Sequence, residues 1–129
     1  MFKEDIELAK KARLNAHAPY SNFFVGACLR CKDGTTYLGC NIENQGIQGL
    51  CAERCAFAKA LSDGRRDFLS ITVVGSPKDT EPNTRCMPCG YCRQFMSEFV
   101  DKDFKIVVID NDEVLTYSIN DLLPYSFDL

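Results

Sequence analysis

The 129-residue chain holds a single histidine, His17, and that scarcity removes two kinds of site at once. A metal centre built from several histidines is excluded, and so is any catalytic triad that needs a second one. His17 itself is expected to face solvent after the first helix. Long apolar runs are missing too, and none approaches the roughly 20 residues of a membrane span. The start, Met1-Phe2-Lys3-Glu4-Asp5, is charged and lacks the apolar stretch of a secretory signal, so a cytoplasmic protein without membrane contact is expected. Basic clusters are also absent. The net charge is −3, from 15 Lys and Arg against 18 Asp and Glu, and no Lys/Arg stripe is long enough to track a polyanion. The expected partner is therefore a small molecule, with no nucleic-acid polymer. No repeat, low-complexity tract or linker divides the chain, so residues 1–129 read as one domain of ordinary globular composition, 46% hydrophobic and 26% charged.

Cysteine is what the chain has in plenty. Eight could build a disulfide framework, but without a secretory signal the thiols are expected to stay reduced or to bind metal. Around them the elements follow from periodicity. Ile6, Ala9, Ala12 and Arg13 fall at helical spacing within residues 4–15, and Ala18-Pro19-Tyr20-Ser21 ends that helix. Residues 25–29 and 36–39 read as strands about the turn Lys32-Asp33-Gly34. Residues 41–50 read as a loop, and 51–62 as an alanine-rich helix stopped by Asp63-Gly64. A buried strand follows at 69–74, then an irregular connection over 76–87 with Pro77 and Pro82. Residues 90–99 form the next predicted helix, with Cys92, Phe95, Met96 and Phe99 on one face. Strands at 105–109 and 115–117 flank Asn111-Asp112-Glu113, and the apolar end, residues 122–127, is expected to pack. A hairpin followed by alternating helix and strand predicts an α/β fold with helices covering a mixed sheet.

Cys89 and Cys92 form a C-x-x-C pair at the head of one predicted helix, and Cys51 starts another. Helix N-termini favour anions, so thiolates form there more easily. A C-x-x-C alone also occurs in redox dithiol proteins and in closed structural zinc sites, where Cys86 or Cys55 would supply a fourth ligand. Joined to the upstream Cys51-Ala52-Glu53, it becomes much more specific. Three protein ligands on Zn²⁺ leave the fourth tetrahedral position open, as catalytic sites require. Three thiolates would leave the centre with a net charge of about −1 and oppose deprotonation of a bound water. Arg54 is the expected offsetting charge. Glu53, as a ligand, would close the site, so its useful role is to take and pass a proton. Alone it would read as a first-turn glutamate that complements the helix dipole. Cys28 and Cys55 are expected to pack as small hydrophobes.

With these motifs in order the sequence resembles the small, homotetrameric, three-cysteine class of cytidine deaminases. The resemblance covers nearly the whole chain: Tyr20-Ser21-Asn22-Phe23-Phe24-Val25-Gly26-Ala27, Asn41-Ile42-Glu43-Asn44, Cys51-Ala52-Glu53-Arg54, Pro88-Cys89-Gly90-Tyr91-Cys92-Arg93-Gln94, and Leu122-Leu123-Pro124 through Phe127. It implies a three-layer α/β/α fold with a mixed sheet of about five strands. It implies hydrolytic deamination of cytidine and 2′-deoxycytidine in pyrimidine salvage, with one Zn²⁺ per subunit on Cys51, Cys89 and Cys92. Glu53 would shuttle protons to N3 and the departing amine. Asn41 and Glu43 would hydrogen-bond the ribose, Phe23 would wall the pocket, and the backbone of Ala52 would meet the base carbonyl. Phe127 would reach into a neighbouring subunit's site, so the sites would be shared within a tetramer. Two departures bear on the substrate. The loop Gln45-Gly46-Ile47-Gln48-Gly49-Leu50 is about one residue shorter than the family's usual spacing, and Met87 stands where a serine is common. A modified or antibiotic cytosine nucleoside, as in blasticidin S deaminases, is the alternative substrate. A thiol–disulfide or structural zinc protein is the alternative of another class.

Overall fold

Residues 2–46 and 48–129 are described by the computed structural model of the chain. Met1 of the charged start and Ile47 of the shortened loop lie outside the described residues. The chain runs α1 (Lys3–Arg13), β1 (Phe23–Cys31), β2 (Thr36–Cys40), α2 (Ala52–Ser62), β3 (Phe68–Pro77), α3 (Gly90–Ser97), β4 (Lys105–Asp110), β5 (Glu113–Tyr117) and α4 (Ile119–Leu122). The five strands form one sheet in the order β2-β1-β3-β4-β5. Only the β3–β4 pairing is parallel; the other three are antiparallel, so the sheet is mixed as expected.

Side-chain alternation divides the sheet's two faces. Ile6 and Ala9 of α1 pack with Cys28, Val74 and Ile109 on one face. Ala56, Phe57 and Ala60 of α2 and Cys92 and Met96 of α3 pack with Ala27, Leu29, Ile71 and Val73 on the other. Phe57 is the centre of that second layer, its ring edge-on to Phe68 with centroids 5.0 Å apart. Glycines let the helices come close. A Cβ on Gly26 would lie 2.0 Å from the Ala9 carbonyl oxygen of α1, and one on Gly39 would lie 2.3 Å from the Ala52 carbonyl oxygen of α2.

Arg13 shares the buried stripe of α1, and it is a cation rather than an apolar residue. Its guanidinium donates to the carbonyls of Phe24 at 3.1 Å, Pro77 at 2.6 Å and Thr80 at 3.0 Å, and more loosely to Ser76 and Lys78. Burying that charge is tolerable because carbonyl oxygens surround it and accept its N–H groups. The helix thereby fastens the start of β1 and the end of β3.

The elements differ from the expected ones mainly at their ends. β1 and β3 extend further, and Pro77 closes β3 opposite Phe23. A proline is tolerated at that terminal position, where no ladder N–H is required of it. Helix α4 was not anticipated. Its start is a capping box, with Ser118 Oγ accepting from the Asp121 N–H and Asp121 accepting from the Ser118 N–H. The expected packing of the apolar end holds for Leu122, which joins the core, but Tyr125 and Phe127 are exposed within this chain. Cys28 is buried as expected, while Cys55 is partly exposed, because it lies at the rim of α2 facing β2. All eight cysteines are free thiols. No helix among the described residues is long and apolar enough to cross a membrane.

Candidate metal centre and substrate cleft

Helices α2 and α3 each precede one of the two parallel strands, so both start at the same end of the sheet. Cys51 and Cys89 are their N-cap residues, with extended backbone at φ −75°, ψ 154° and φ −69°, ψ 169°. Neither side chain caps its own helix, which leaves both sulfurs available. Cys92 lies one turn into α3 and is buried. The Sγ atoms of Cys51 and Cys89 are 3.9 Å apart, and all three sulfurs lie within 4.8 Å of one another. Zn–S bonds of about 2.3 Å at tetrahedral angles require sulfur–sulfur separations of about 3.8 Å. The donor set therefore fits zinc with little rearrangement. Cys55 and Cys86 are not part of it.

The electrostatics around the sulfurs favour a thiolate at Cys51. Its thiol is drawn well below the ordinary cysteine value by hydrogen bonding with Cys92, then by Arg54 and Cys89. Cys92 is pushed in the opposite direction, first by that same hydrogen bond and then by burial. A divalent cation bound by the three sulfurs would displace the thiol protons. Arg54 Nη2 donates to Cys51 Sγ at 3.6 Å and to the Gly49 carbonyl at 3.2 Å. Glu53 is buried, 4% exposed, and burial pushes its carboxyl up to about 7. Burial also pushes the Cys86 thiol up to about 12, with the charges of Glu53 and Cys51 adding to the effect. Cys86 is packed tightly against Gly75, where an added Cβ would lie 2.7 Å from its sulfur.

A cleft of about 370 Å³ opens over the cluster, lined by Asn41, Glu43, Leu50, Cys51, Arg54 and Cys89, with Tyr91 at its rim. A larger hollow of about 620 Å³ lies far from it, against Phe2, Arg30 and Lys105, and contains none of the three cysteines. Asn41 and Glu43 thus meet at the cleft, but their polar atoms are already engaged. Asn41 Oδ1 accepts from the Val25 N–H and Nδ2 donates to the Phe23 carbonyl, both at 2.9 Å. Glu43 Oε1 accepts from the N–H groups of Tyr20 and Ser21, and those bonds with the Ser21 hydroxyl hold its carboxylate below the usual range. The pair therefore anchors the Tyr20–Val25 stretch as well as lining the cleft. Ala52 is the first residue of α2 and is fully buried. Phe23 lies beside Gly75 and Cys86 rather than on the lining of this cleft. Phe127 is 67% exposed and contributes nothing to this chain's own cleft; its carbonyl accepts from Gln94 Nε2 at 3.0 Å.

Sequence reasoning missed Tyr91, whose ring stacks over the Arg54 guanidinium with Cζ 4.2 Å from the centroid. The only signal for it was an aromatic residue between the two cysteines of the C-x-x-C pair.

Comparison with known proteins adds an independent line. Residues 3–109 match the family model described as the cytidine and deoxycytidylate deaminase zinc-binding region. The chain is 44% identical over 121 residues to a cytidine deaminase of Sporosarcina psychrophila, covering 92% of this chain and 85% of the relative. It is 43% identical over 125 residues to a cytidine deaminase of Halalkalibacterium halodurans, covering 95% and 90%. The crystal structure of cytidine deaminase from Burkholderia pseudomallei superposes with a TM-score of 0.88 at 42% identity, covering 98% of this chain and 99% of that one.

Proposed function

Because the chain belongs to the cytidine and deoxycytidylate deaminase zinc-binding family, we propose that it hydrolyses the exocyclic amine of cytidine and 2′-deoxycytidine, releasing ammonia and the uracil nucleoside. The observation that carries this reading is the convergence of three sulfurs within 4.8 Å, with a buried glutamate two residues from one of them. Cys51, Cys89 and Cys92 hold the zinc, one per chain. When bound, the metal supplies a Lewis acid that lowers the pKa of water to about 7.

Glu53 is the proton carrier in this reading. Its burial shelters the carboxyl from bulk solvent, so its proton exchanges with groups in the cleft, first to the ring N3 and then to the departing amine. Arg54 offsets the negative charge of the sulfurs. Asn41 and Glu43 present the rim of the cleft to the sugar hydroxyls while holding the Tyr20–Val25 stretch in place. Phe23, within that stretch, walls the nucleoside pocket, and the backbone of Ala52 meets the base carbonyl. Residues 1–129 act as one domain in the cytoplasm. The exposed apolar end, with Phe127 outside its own cleft, supports a homotetramer in which this residue enters a neighbour's site.

Ammonia release from each nucleoside by the zinc-loaded protein tests the reading. The parent is expected to turn over both, and Glu53→Gln is expected to keep its zinc while losing about 10²–10⁴-fold in rate. A zinc-loaded parent that deaminated neither nucleoside would refute it, and activity on modified cytosine nucleosides alone would move the substrate to the altered 45–50 loop.

A further inference from the structure

Tyr91 lies between two residues of the metal cluster, yet 62% of its surface is exposed, so filling the core does not explain it. What it touches is Arg54, whose Cζ sits 4.2 Å from the ring centroid. The guanidinium is otherwise held at one end. Its bonds to the Gly49 carbonyl and the Cys51 sulfur, at 3.2 and 3.6 Å, both come from Nη2, and Arg54 Nε is buried with no partner. An arginine side chain loses much rotamer freedom when fixed, and two hydrogen bonds from a single nitrogen set only part of its orientation. The ring supplies what is missing. It attracts the cation through its π face, and it excludes water from one side of the guanidinium, which strengthens the pull on the neighbouring sulfur.

We propose that Tyr91 is a positioning residue for the metal cluster: stacked on Arg54, it keeps that cation against the Cys51 sulfur and so slows loss of the metal held by the three thiolates. The inference rests on the role given to Arg54 above. Three thiolates around a divalent ion carry a net charge of about −1, which favours protonation of a sulfur and release of the metal, and a cation fixed beside one sulfur opposes that protonation only while it stays in place. The ring therefore acts on the metal at one remove, without being a ligand.

The rate at which the zinc-loaded protein surrenders its metal to an excess of a chromogenic chelator reads this directly and needs no turnover. Tyr91→Ala is expected to lose zinc about fivefold faster than the parent, while Tyr91→Phe, which keeps the ring, stays within about twofold. In an Arg54→Gln background, where release is already fast, Tyr91→Ala is expected to add nothing, as coupling through one contact requires. If Tyr91→Ala released zinc at the parental rate while Arg54→Gln was fast, the inference would fail and the role of Arg54 would stand. If Arg54→Gln itself released zinc at the parental rate, both would fall. A Tyr91→Phe as fast as Tyr91→Ala would assign the effect to the hydroxyl and overturn the stacking account, and so would an equal acceleration in both backgrounds.

Discussion

Gly39 offers a sharp test of how the fold sets the chemistry, because it is a strand residue with no part in the metal cluster. Its Cα is paired opposite Ala27 in β1, and its missing side chain points into the start of α2. A Cβ built there would lie 2.3 Å from the Ala52 carbonyl oxygen and 2.6 Å from the Ala56 nitrogen, both backbone atoms, and 3.1 Å from Cys55 Cβ. Ordinary contact begins at 3.4 Å, so relief demands that strand and helix move apart by about 1 Å. No side-chain rotation can supply that movement, since the obstructing atoms belong to the helix itself. Overpacking of this kind costs about 1–3 kcal/mol, and each kcal/mol lowers the melting temperature of a chain this size by about 3–5 °C. The functional cost is expected to be larger than the structural one. Cys51 and Glu53 ride on the first turn of α2, and a misplacement of about 1 Å in a catalytic group can cost about 100-fold in rate. The assay pairs urea unfolding with the kcat for ammonia release from Gly39→Ala, with zinc content measured on the same preparation. Gly90→Ala is the stability control, because an added Cβ there meets open space. A Gly39→Ala protein with an unchanged unfolding midpoint and a kcat within about twofold of the parent would refute the argument that this glycine sets the position of α2.

Phe57→Ala is expected to cost about 3–5 kcal/mol, since the ring is fully buried and touches Phe68, Phe95, Phe99 and Phe104; urea unfolding measures it. Arg13→Met keeps the buried stem but removes the guanidinium bonds to the carbonyls of Phe24, Pro77 and Thr80, and is expected to destabilise by about 1–3 kcal/mol in the same assay. A neutral Arg13→Met would refute the argument that this guanidinium fastens β1 to the end of β3. Stripping the zinc is expected to remove about 4 kcal/mol of stability at a metal concentration about 1,000 times the dissociation constant, so the melting temperature of the stripped protein should fall and recover on readdition.

Much of this arrangement was legible because its signals are local. The helix over Cys51–Ser62 is bounded by Cys51 at one end and Asp63-Gly64 at the other, and the observed α2 differs by one residue. The three sulfurs were named from spacing and motif order, and the chain brings them together. What was missed depends on pairs of residues distant in sequence. Arg13 showed only its helical phase; that it meets carbonyls more than sixty residues away depends on how β3 ends. The close approaches at Gly26 and Gly39 are properties of two packed backbones, and nothing near either glycine announces them. The stack of Tyr91 on Arg54 exists because α2 and α3 start at the same end of the sheet. Asn41 and Glu43 were expected to point at a sugar from an extended segment. Their side chains line the cleft and also bond the Tyr20–Val25 stretch, because backbone bonding of His17 to Asn41 and Glu43 brings that stretch alongside. The start of α4 is a different case, since its capping box, Ser118 and Asp121, stood in the sequence unread.

The parallel seam between β3 and β4 has a consequence for the order in which a growing chain can be completed. Cys51 is synthesised 38 residues ahead of Cys89, so a nascent chain that stops short of α3 carries one thiolate of the cluster and has no chelate with which to retain zinc. The antiparallel β1, β2 and β3, with α1 and α2, can assemble from what has already emerged, while one edge of β3 waits unpaired for Lys105–Asp110. Parallel pairing across such an interval is slow, because the loop-closure entropy is spent before the contact forms. The three cysteines are complete before β4 is synthesised, so metal uptake would report the docking of α3 beside α2 and not the closure of the sheet.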